Sequence, residues 1–204
     1  MTARARAHAR SHHFVTTAIK LLQAHGSIDF TVQDVVDRSG MSIRTFYKYF
    51  ASKDDLLIAV YETVVARNTV PLLKRNIAKV NDPMSRLRAY IVGLVELANK
   101  SEVRAARTLT NYGNRLAETR PSDLARVMKP QVDLLRELIQ AVARTRSLRR
   151  DLNVESATRL THFVVLAAVH ARLRGSEEST DLSARAIYQF CLGGLGLDAK
   201  NTRS

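Results

Sequence analysis

Residues 41–57, MSIRTFYKYFASKDDLL, combine aromatic and cationic side chains in a way that suits neither a buried helix nor a solvated one. A buried helix contains few cationic side chains, and a solvated helix contains few closely spaced aromatic rings. Both kinds of side chain are needed where one side of a helix packs on a core and the other contacts a polyanion. The stretch therefore indicates nucleic acid as a partner.

Capping residues divide this stretch and the residues before it into short helices. Thr31, with Asp34 three residues later, forms a variant of the capping box and predicts a helix start. Gly40 predicts the end of that helix, because a left-handed residue at this position is usually glycine. Two further N-caps are predicted at Ser42 and Ser52. The short helix between them runs from Ile43 to about Phe50.

Two short helices joined by a glycine turn form a helix-turn-helix, whose second helix can enter the major groove of DNA. We expect Ile43, Phe46 and Phe50 to pack this second helix onto its neighbours. Its other side would face DNA with hydroxyls and cations, namely Ser42, Arg44, Thr45, Tyr47, Lys48 and Tyr49. Lys53 lies in the first turn of the next helix, where its positive charge is unfavourable to the helix dipole. A DNA phosphate bound at that helix start would compensate for this repulsion.

The motifs of residues 30–36, 39–42, 45–50 and 52–56 resemble the TetR family of bacterial transcriptional regulators, and the likeness covers about residues 14–60. The resemblance implies an all-α homodimer that binds a palindromic operator and releases it when a small effector binds. By position it implies phosphate contacts from Tyr47 and Lys53, a backbone contact from the capping Thr31, and base contacts from Arg44, Thr45 and Lys48. Arg44 stands where the family commonly has a small residue, and it could pair with a guanine.

The N-terminal residues alternate arginine or histidine with alanine and show no apolar periodicity before Phe14. We predict a flexible basic arm over residues 1–12. Arg4, Arg6 and Arg10 are its candidate DNA contacts, in a minor groove or along phosphates. The alternative is a disordered tail that only aids solubility.

The rest of the chain is expected to be a larger helical bundle. Pro71 should close the helix that Ser52 begins, and Pro130 should kink or break a later one. Long amphipathic helices are predicted at 83–99, 103–118, 122–147, 154–174 and 181–196. The fold class is therefore all-α, with a three-helix DNA-binding domain at 13–58 and an effector-binding and dimerisation domain at 59–204.

The charge favours a polyanionic partner, since 32 Lys and Arg against 19 Asp and Glu give a net charge of +13. The first 60 residues carry only +3 of this surplus and the remainder +10. One interpretation is an anionic effector, such as an acyl-coenzyme A thioester, held by arginines. The other is a set of solvated, arginine-rich helix faces.

Two apolar helices suggest how the chain dimerises and where an effector would bind. Helix 154–174 is apolar nearly all round, so it can face both a core and a partner, and the last helix has an apolar stripe with small residues. The predicted two-fold interface consists of Val165, Val169, Ile187, Phe190 and Gly194, unless these helices are simply protomer core. The candidate effector pocket consists of Leu109, Tyr112, Arg115, Phe163 and Leu166.

Other classes of protein find little support. The chain has one cysteine, Cys191, which excludes an intrachain disulfide and a cysteine-based zinc site. No nucleophile–base pairing, glycine-rich phosphate loop or metal-ligand spacing is evident, so we predict no enzyme, no cofactor and no metal. The longest apolar run, 163–169, is too short to span a bilayer, which indicates a cytoplasmic protein. The remaining alternative is a basic protein that coats DNA without sequence preference.

Overall fold

The computed structural model describes residues 2–98, 103–174 and 183–197, and within these ranges it is helical with no strand. This confirms the predicted all-α class. The helices are α1 Ala3–His25, α2 Val32–Ser39, α3 Ile43–Tyr49, α4 Lys53–Val64, α5 Val70–Ile77, α6 Pro83–Leu97, α7 Val103–Thr119, α8 Pro121–Ala143, α9 Val154–Arg174 and α10 Ala184–Leu195.

The chain divides into two compact units. The first contains residues 1–65 and 104–127, and the second contains residues 66–103 and 128–204. The grouping in space thus differs from the linear boundary expected at residue 58, because α7 and the start of α8 pack with the N-terminal helices. The hydrophobic pattern of α7 did not indicate which helices it packs against.

The first unit is built around α1, which packs against α2, α3 and α4. Phe14 of α1 is fully buried and meets the rings of Phe46 and Phe50 edge-on, at centroid distances of 5.5 and 6.4 Å. Such edge-to-face pairs add roughly 0.5–1.5 kcal/mol to the area that the rings bury. The aromatic residues of the opening stretch therefore fix α3 to α1.

The predicted helix ends are confirmed. Ser42 Oγ accepts from the Thr45 amide at 3.2 Å, and Ser52 Oγ accepts from the Asp55 amide at 3.1 Å. Gly40 ends α2 with φ of 66°. These interactions fix where α2 ends and where α3 and α4 begin, which keeps the helix-turn-helix compact.

Two predictions about helix continuity are wrong, and a third is wrong in part. Residues 3–12, expected as a flexible arm, are the first turns of α1, because alanine and arginine favour helix strongly and Thr2 supplies an N-cap. Pro71 does not close the helix from Ser52: a wider π-turn over Val65–Thr69 precedes α5, which places Pro71 in the first turn, where no amide hydrogen is required. Pro130 lies inside α8, so the predicted break is absent, while the alternative of a kink stays a prediction.

In the second unit, α6 is the central helix and packs against α5, α9 and α10. Leu87, Tyr90, Ile91 and Val95 of α6 are completely buried. The hydroxyl of Tyr90 donates to the carbonyl of Gln131 at 3.2 Å, which satisfies the one polar group that this ring brings into the core. Burial raises the pKa of Tyr90 well above its ordinary value.

One described helical stretch, Lys53–Ile77, is long and apolar enough to cross a bilayer, with a mean hydropathy of 1.4. Nearly half of the apolar window is buried within the protein. Core helices of soluble proteins pass the same test of length and composition, so the stretch is weak evidence for a membrane segment.

Candidate nucleic-acid interface

The turn between α2 and α3 depends on Gly40. Its φ of +66° is in the left-handed region, where a side chain would be strained, although nothing lies within 4 Å of where a Cβ would stand. Ser39 supports the turn from inside, since its Oγ donates to the Val36 carbonyl at 2.9 Å and accepts from the Met41 amide at 3.3 Å. The direction in which α3 leaves the turn is therefore fixed locally.

One side of α3 anchors the helix and the other is exposed. Phe46 has no accessible surface and Phe50 only 8%. Ile43 was expected to pack with them, but it is 46% exposed, so that prediction is wrong. Ile43 is the first residue of a seven-residue helix and lies one turn before Phe46. The preceding glycine turn does not cover its side chain.

The exposed side of α3 carries three of the predicted DNA contacts. Arg44, Tyr47 and Lys48 are all exposed and share one face of the helix, because they are three and four residues apart. Tyr47 exposes 55% of its surface, which is high for an aromatic side chain. Among the other predicted contacts, Ser42 is exposed, while Thr45 and Tyr49 are half-buried.

Two helix starts flank this face, and each holds a predicted phosphate contact. At α2, the amide of Thr31 donates to Asp34 Oδ2 at 2.6 Å and the Asp34 amide donates to Thr31 Oγ1 at 3.1 Å, which completes the capping box. The bond from the Thr31 backbone holds the pKa of Asp34 below its usual value. At α4, the ammonium of Lys53 lies 5.4 Å from the ring centroid of Phe30, a cation–π contact that restricts where Lys53 can point.

Of the predicted arm residues Arg4, Arg6 and Arg10, the structure describes the side chains of Arg6 and Arg10 only. Arg6 is exposed on the first turns of α1. The side chain of Arg4 lies outside the described part of the structure. The structure thus places these residues on a helix rather than on a flexible segment.

The candidate effector residues belong to both units. Leu109 and Tyr112 are buried in the first unit, whereas Phe163 and Leu166 belong to α9 of the second unit. Tyr112 and Arg115 both contact Asp54: the Tyr112 hydroxyl donates to its carbonyl at 3.0 Å, and the guanidinium meets its carboxylate at 2.8 Å. Burial raises the pKa of Tyr112 to about 12.

Tyr112 and Arg115 also line a small open cleft of about 270 Å³, together with Gly26, Asp29 and Asn111. Beside this cleft, the hydroxyl of Thr108 donates a hydrogen bond to the Gly26 carbonyl at 2.7 Å, which joins α7 to the end of α1. The cleft is open to solvent, and its volume lies below the range of about 300–1,000 Å³ that is usual for small-molecule sites.

Many of the arginines considered as anion ligands are paired with carboxylates. In the first unit Arg115, Arg120 and Arg126 bind Asp54, Asp55 and Glu62 respectively, at 2.8–2.9 Å. In the second unit Arg136 binds Asp133 at 2.6 Å and Glu155 at 3.0 Å. The bond from Arg120 is the main reason why the pKa of Asp55 is lowered. These pairs favour the interpretation of arginine-rich helix faces.

The predicted dimer residues divide between core and surface. Val165, Val169 and Ile187 are buried within their own protomer, so they cannot present an interface, and that part of the prediction is wrong. The reason is that α9 is apolar on nearly all sides, so its sequence does not show which side packs on the core. Phe190 is 68% exposed and Gly194 is exposed, as expected. Leu160 and Phe163, exposed by 51% and 64%, occupy the outer side of α9.

His162 is the one buried polar group that stands out on α9. It is 8% exposed, and its Nδ1 has no hydrogen-bond partner among the described residues. Burial lowers the pKa of His162, and the neighbouring His170 lowers it further. Within the described residues, no group of three His, Cys, Asp or Glu side chains is arranged to hold a metal ion.

Residues 14–60 match the family described as bacterial regulatory proteins, tetR family. The HTH-type transcriptional regulator BetI of Brucella canis is 28% identical over 103 residues, which cover 50% of this chain and 52% of that protein. The chain spans from 28% to about half of the length of the curated relatives that it matches.

Solved structures match over nearly the whole chain. RolR in complex with resorcinol is 18% identical, with a TM-score of 0.72 over 98% of this chain and 97% of RolR. Thermus thermophilus FadR, a TetR family transcriptional repressor in complex with lauroyl-CoA, is 17% identical, with a TM-score of 0.70 over 91% and 94% of the two chains. At such identities the likeness shows the shared fold.

Proposed function

We propose that the chain is a transcriptional repressor of the TetR family, which binds a palindromic DNA operator as a homodimer and leaves it when a small molecule binds. The observation that carries the proposal is the exposed face of α3. Arg44, Tyr47 and Lys48 project together from a helix whose opposite side is locked to α1 by Phe46. A short, rigid helix with this surface can enter the major groove.

Each residue of the interface has a chemical role in the proposal. Arg44, in the first turn of α3, reads a base edge, and a bidentate bond to guanine is the contact best suited to its guanidinium. The exposed Ile43 beside it contacts a thymine methyl, whereas the sequence pattern had suggested a buried position for this residue. Tyr47 and Lys53 hold backbone phosphates, and the contact of Lys53 with Phe30 keeps its ammonium in place before DNA arrives. Thr31, Ser42, Thr45, Lys48 and Tyr49 complete the surface.

The apolar side chains that the protomer leaves exposed support the proposed homodimer. Leu160 and Phe163 of α9 and Phe190 of α10 each expose half or more of their surface. Three large exposed apolar residues on two helices of the same unit are unusual for a monomer. A two-fold contact through this face would also present two α3 helices to the two halves of a palindrome.

The effector in this proposal is a lipophilic small molecule. Acyl-CoA thioesters are the first class to test, because the Thermus thermophilus FadR relative is in complex with lauroyl-CoA. Lauroyl-CoA, lauric acid and a neutral aromatic such as resorcinol should be compared as competitors of DNA binding. Release by lauroyl-CoA alone supports an acyl-CoA effector, whereas release by resorcinol alone assigns the effector to small neutral compounds.

The operator itself is tested by selecting duplex fragments from the source genome that the protein retains. The expected result is a common palindrome, bound at least about 1,000-fold more tightly than unrelated duplex. The double variant Tyr47→Ala/Lys53→Ala should lose this binding, while Lys74→Ala, which removes an exposed lysine of α5, should keep it. Equal affinity for all duplexes would instead identify a protein that coats DNA without sequence preference.

A further inference from the structure

The first 28 residues of the chain contain no aspartate or glutamate. They contain four lysines and arginines and four of the six histidines of the protein. A segment with this composition has a positive potential that no local carboxylate reduces. Several arginines of the later helices are paired with acids, and the N-terminal segment has no acid of its own for such a pair.

The segment has a defined position beside the turn and the reading helix. His13 of α1 donates its Nε2 hydrogen to the Ser39 carbonyl at 3.2 Å, which ties α1 to the end of α2. The preceding turns of α1 face Tyr49, the last residue of α3. The first three turns of α1 are therefore held next to the proposed DNA-reading surface.

A groove of about 640 Å³ separates these turns from Tyr49. It is lined by Thr2, Ala5, Ala7, His8, Ser11 and Tyr49. Its polar groups are hydroxyls and an imidazole, and none of the lining residues is acidic. Arg6 and Arg10 are exposed on the same turns of the helix.

We propose that residues 3–13 of α1 form a rigid second contact to DNA, in which the groove beside Tyr49 takes a backbone phosphodiester and Arg6 and Arg10 neutralise neighbouring phosphates. The inference rests on the proposed function, because it extends the same interface along the DNA backbone. A phosphodiester carries one negative charge and only accepts hydrogen bonds. The hydroxyls of Thr2 and Tyr49 and the imidazole of His8 are donors suited to it.

The helical form of the segment changes what it can do. A flexible arm would lose conformational entropy each time it bound, for every residue that became ordered. A helix held by His13 and packed beside Tyr49 has already lost that freedom. Its interactions with DNA therefore add to affinity without an ordering cost, and they should depend on the helix being intact as well as on its charges.

The charges are tested by measuring the affinity for the selected palindrome at several salt concentrations. The double variant Arg6→Gln/Arg10→Gln should reduce the slope of log K against log salt by about 0.9 for each phosphate that the two arginines neutralise in the parent. Lys20→Gln is the matched control, since it removes an exposed cation of the same helix about 20 Å further along. An unchanged slope for the arginine variant, or an equal reduction by Lys20→Gln, overturns the inference.

The groove and the helix are tested with substitutions that preserve all lysines and arginines. His8→Ala and Tyr49→Phe should each weaken binding of the palindrome. Ala9→Pro should weaken it at least as much, because proline interrupts α1 ahead of residue 9, whereas Ala9→Ser should have little effect. If Ala9→Pro binds like the parent, the segment acts as a flexible arm and the rigid contact is refuted. A parent that binds no duplex refutes the proposed function and this inference together, whereas a parent that binds normally beside unaffected variants refutes only this one.

Discussion

The phenol of Tyr112 donates a hydrogen bond to the backbone carbonyl of Asp54 at 3.0 Å, and this bond joins α7 to the first turn of α4. Lys53, the proposed phosphate ligand, is the residue immediately before Asp54. Arg115, one turn further along α7, binds the carboxylate of the same aspartate at 2.8 Å. The position of Lys53 is therefore set partly by a helix that lies far from it in sequence.

Tyr112→Phe should destabilise the protein by roughly 1 kcal/mol, because it removes the hydroxyl and leaves the Asp54 carbonyl without this partner. Arg115→Ala should cost less, since both members of that ion pair are about half exposed to water. Urea unfolding of the parent and the two variants measures the order of the effects. A larger loss for Arg115→Ala would show that the ion pair, and not the buried hydroxyl, joins the two helices.

Gly113 is required where α7 passes the ring of Tyr61. A Cβ at this position would lie 3.0 Å from Tyr61 Oη and 3.1 Å from its Cε1, while Tyr61 itself is only 8% exposed. Gly113→Ala should therefore lose about 1–3 kcal/mol to overpacking, less the roughly 1 kcal/mol that alanine contributes in a helix. Thermal unfolding measures the net effect. Tyr61→Phe in the alanine background should recover part of the loss, since it removes the closest atom; no recovery would place the strain elsewhere.

The short-range features of the DNA-reading region were predictable from the sequence. The caps at Thr31, Ser42 and Ser52 and the left-handed Gly40 depend on neighbours within four residues, and all four are confirmed. The interior position of Phe46 followed from the same periodicity. The exposure of Ile43 did not, because one turn at the end of a seven-residue helix has too little pattern to define a side.

The features that depend on distant parts of the chain were not predictable. The contacts of Asp54 with Tyr112 and Arg115 join residues about 60 positions apart, and no local pattern specifies such a pair. The apolar helix α9 gave no means of telling its core side, with Val165, from its outer side, with Phe163. Sequence periodicity identifies a helix that is buried on several sides, but tertiary packing decides which side is covered.

Phe190→Glu should convert the proposed dimer to monomers. Phe190 is 68% exposed in the protomer, and burying a phenylalanine against a partner contributes about 1.5–3 kcal/mol. A two-fold interface contains the residue twice, so the substitution should weaken the dimer by at least about 3 kcal/mol. Sedimentation at micromolar concentration measures the shift. Gln189→Glu, an exposed neighbour with the same added charge, is the control, and a dimer that tolerates Phe190→Glu would place the interface elsewhere.

His162 should make the stability of the protein fall on the acid side of neutrality. Burial lowers its pKa in the folded state below the ordinary value near 6.5, so the folded protein binds its proton less readily than the unfolded chain does. The stability that the neutral imidazole allows is complete above about pH 6.5 and is lost as the pH falls below it. His162→Leu removes this proton linkage and also removes the buried Nδ1 that has no described partner. The difference in unfolding free energy between the parent and His162→Leu should therefore change in favour of the variant between about pH 7.5 and about pH 5.5. Urea unfolding at the two pH values measures it, and parallel losses in both proteins would show that the acid sensitivity comes from groups other than His162.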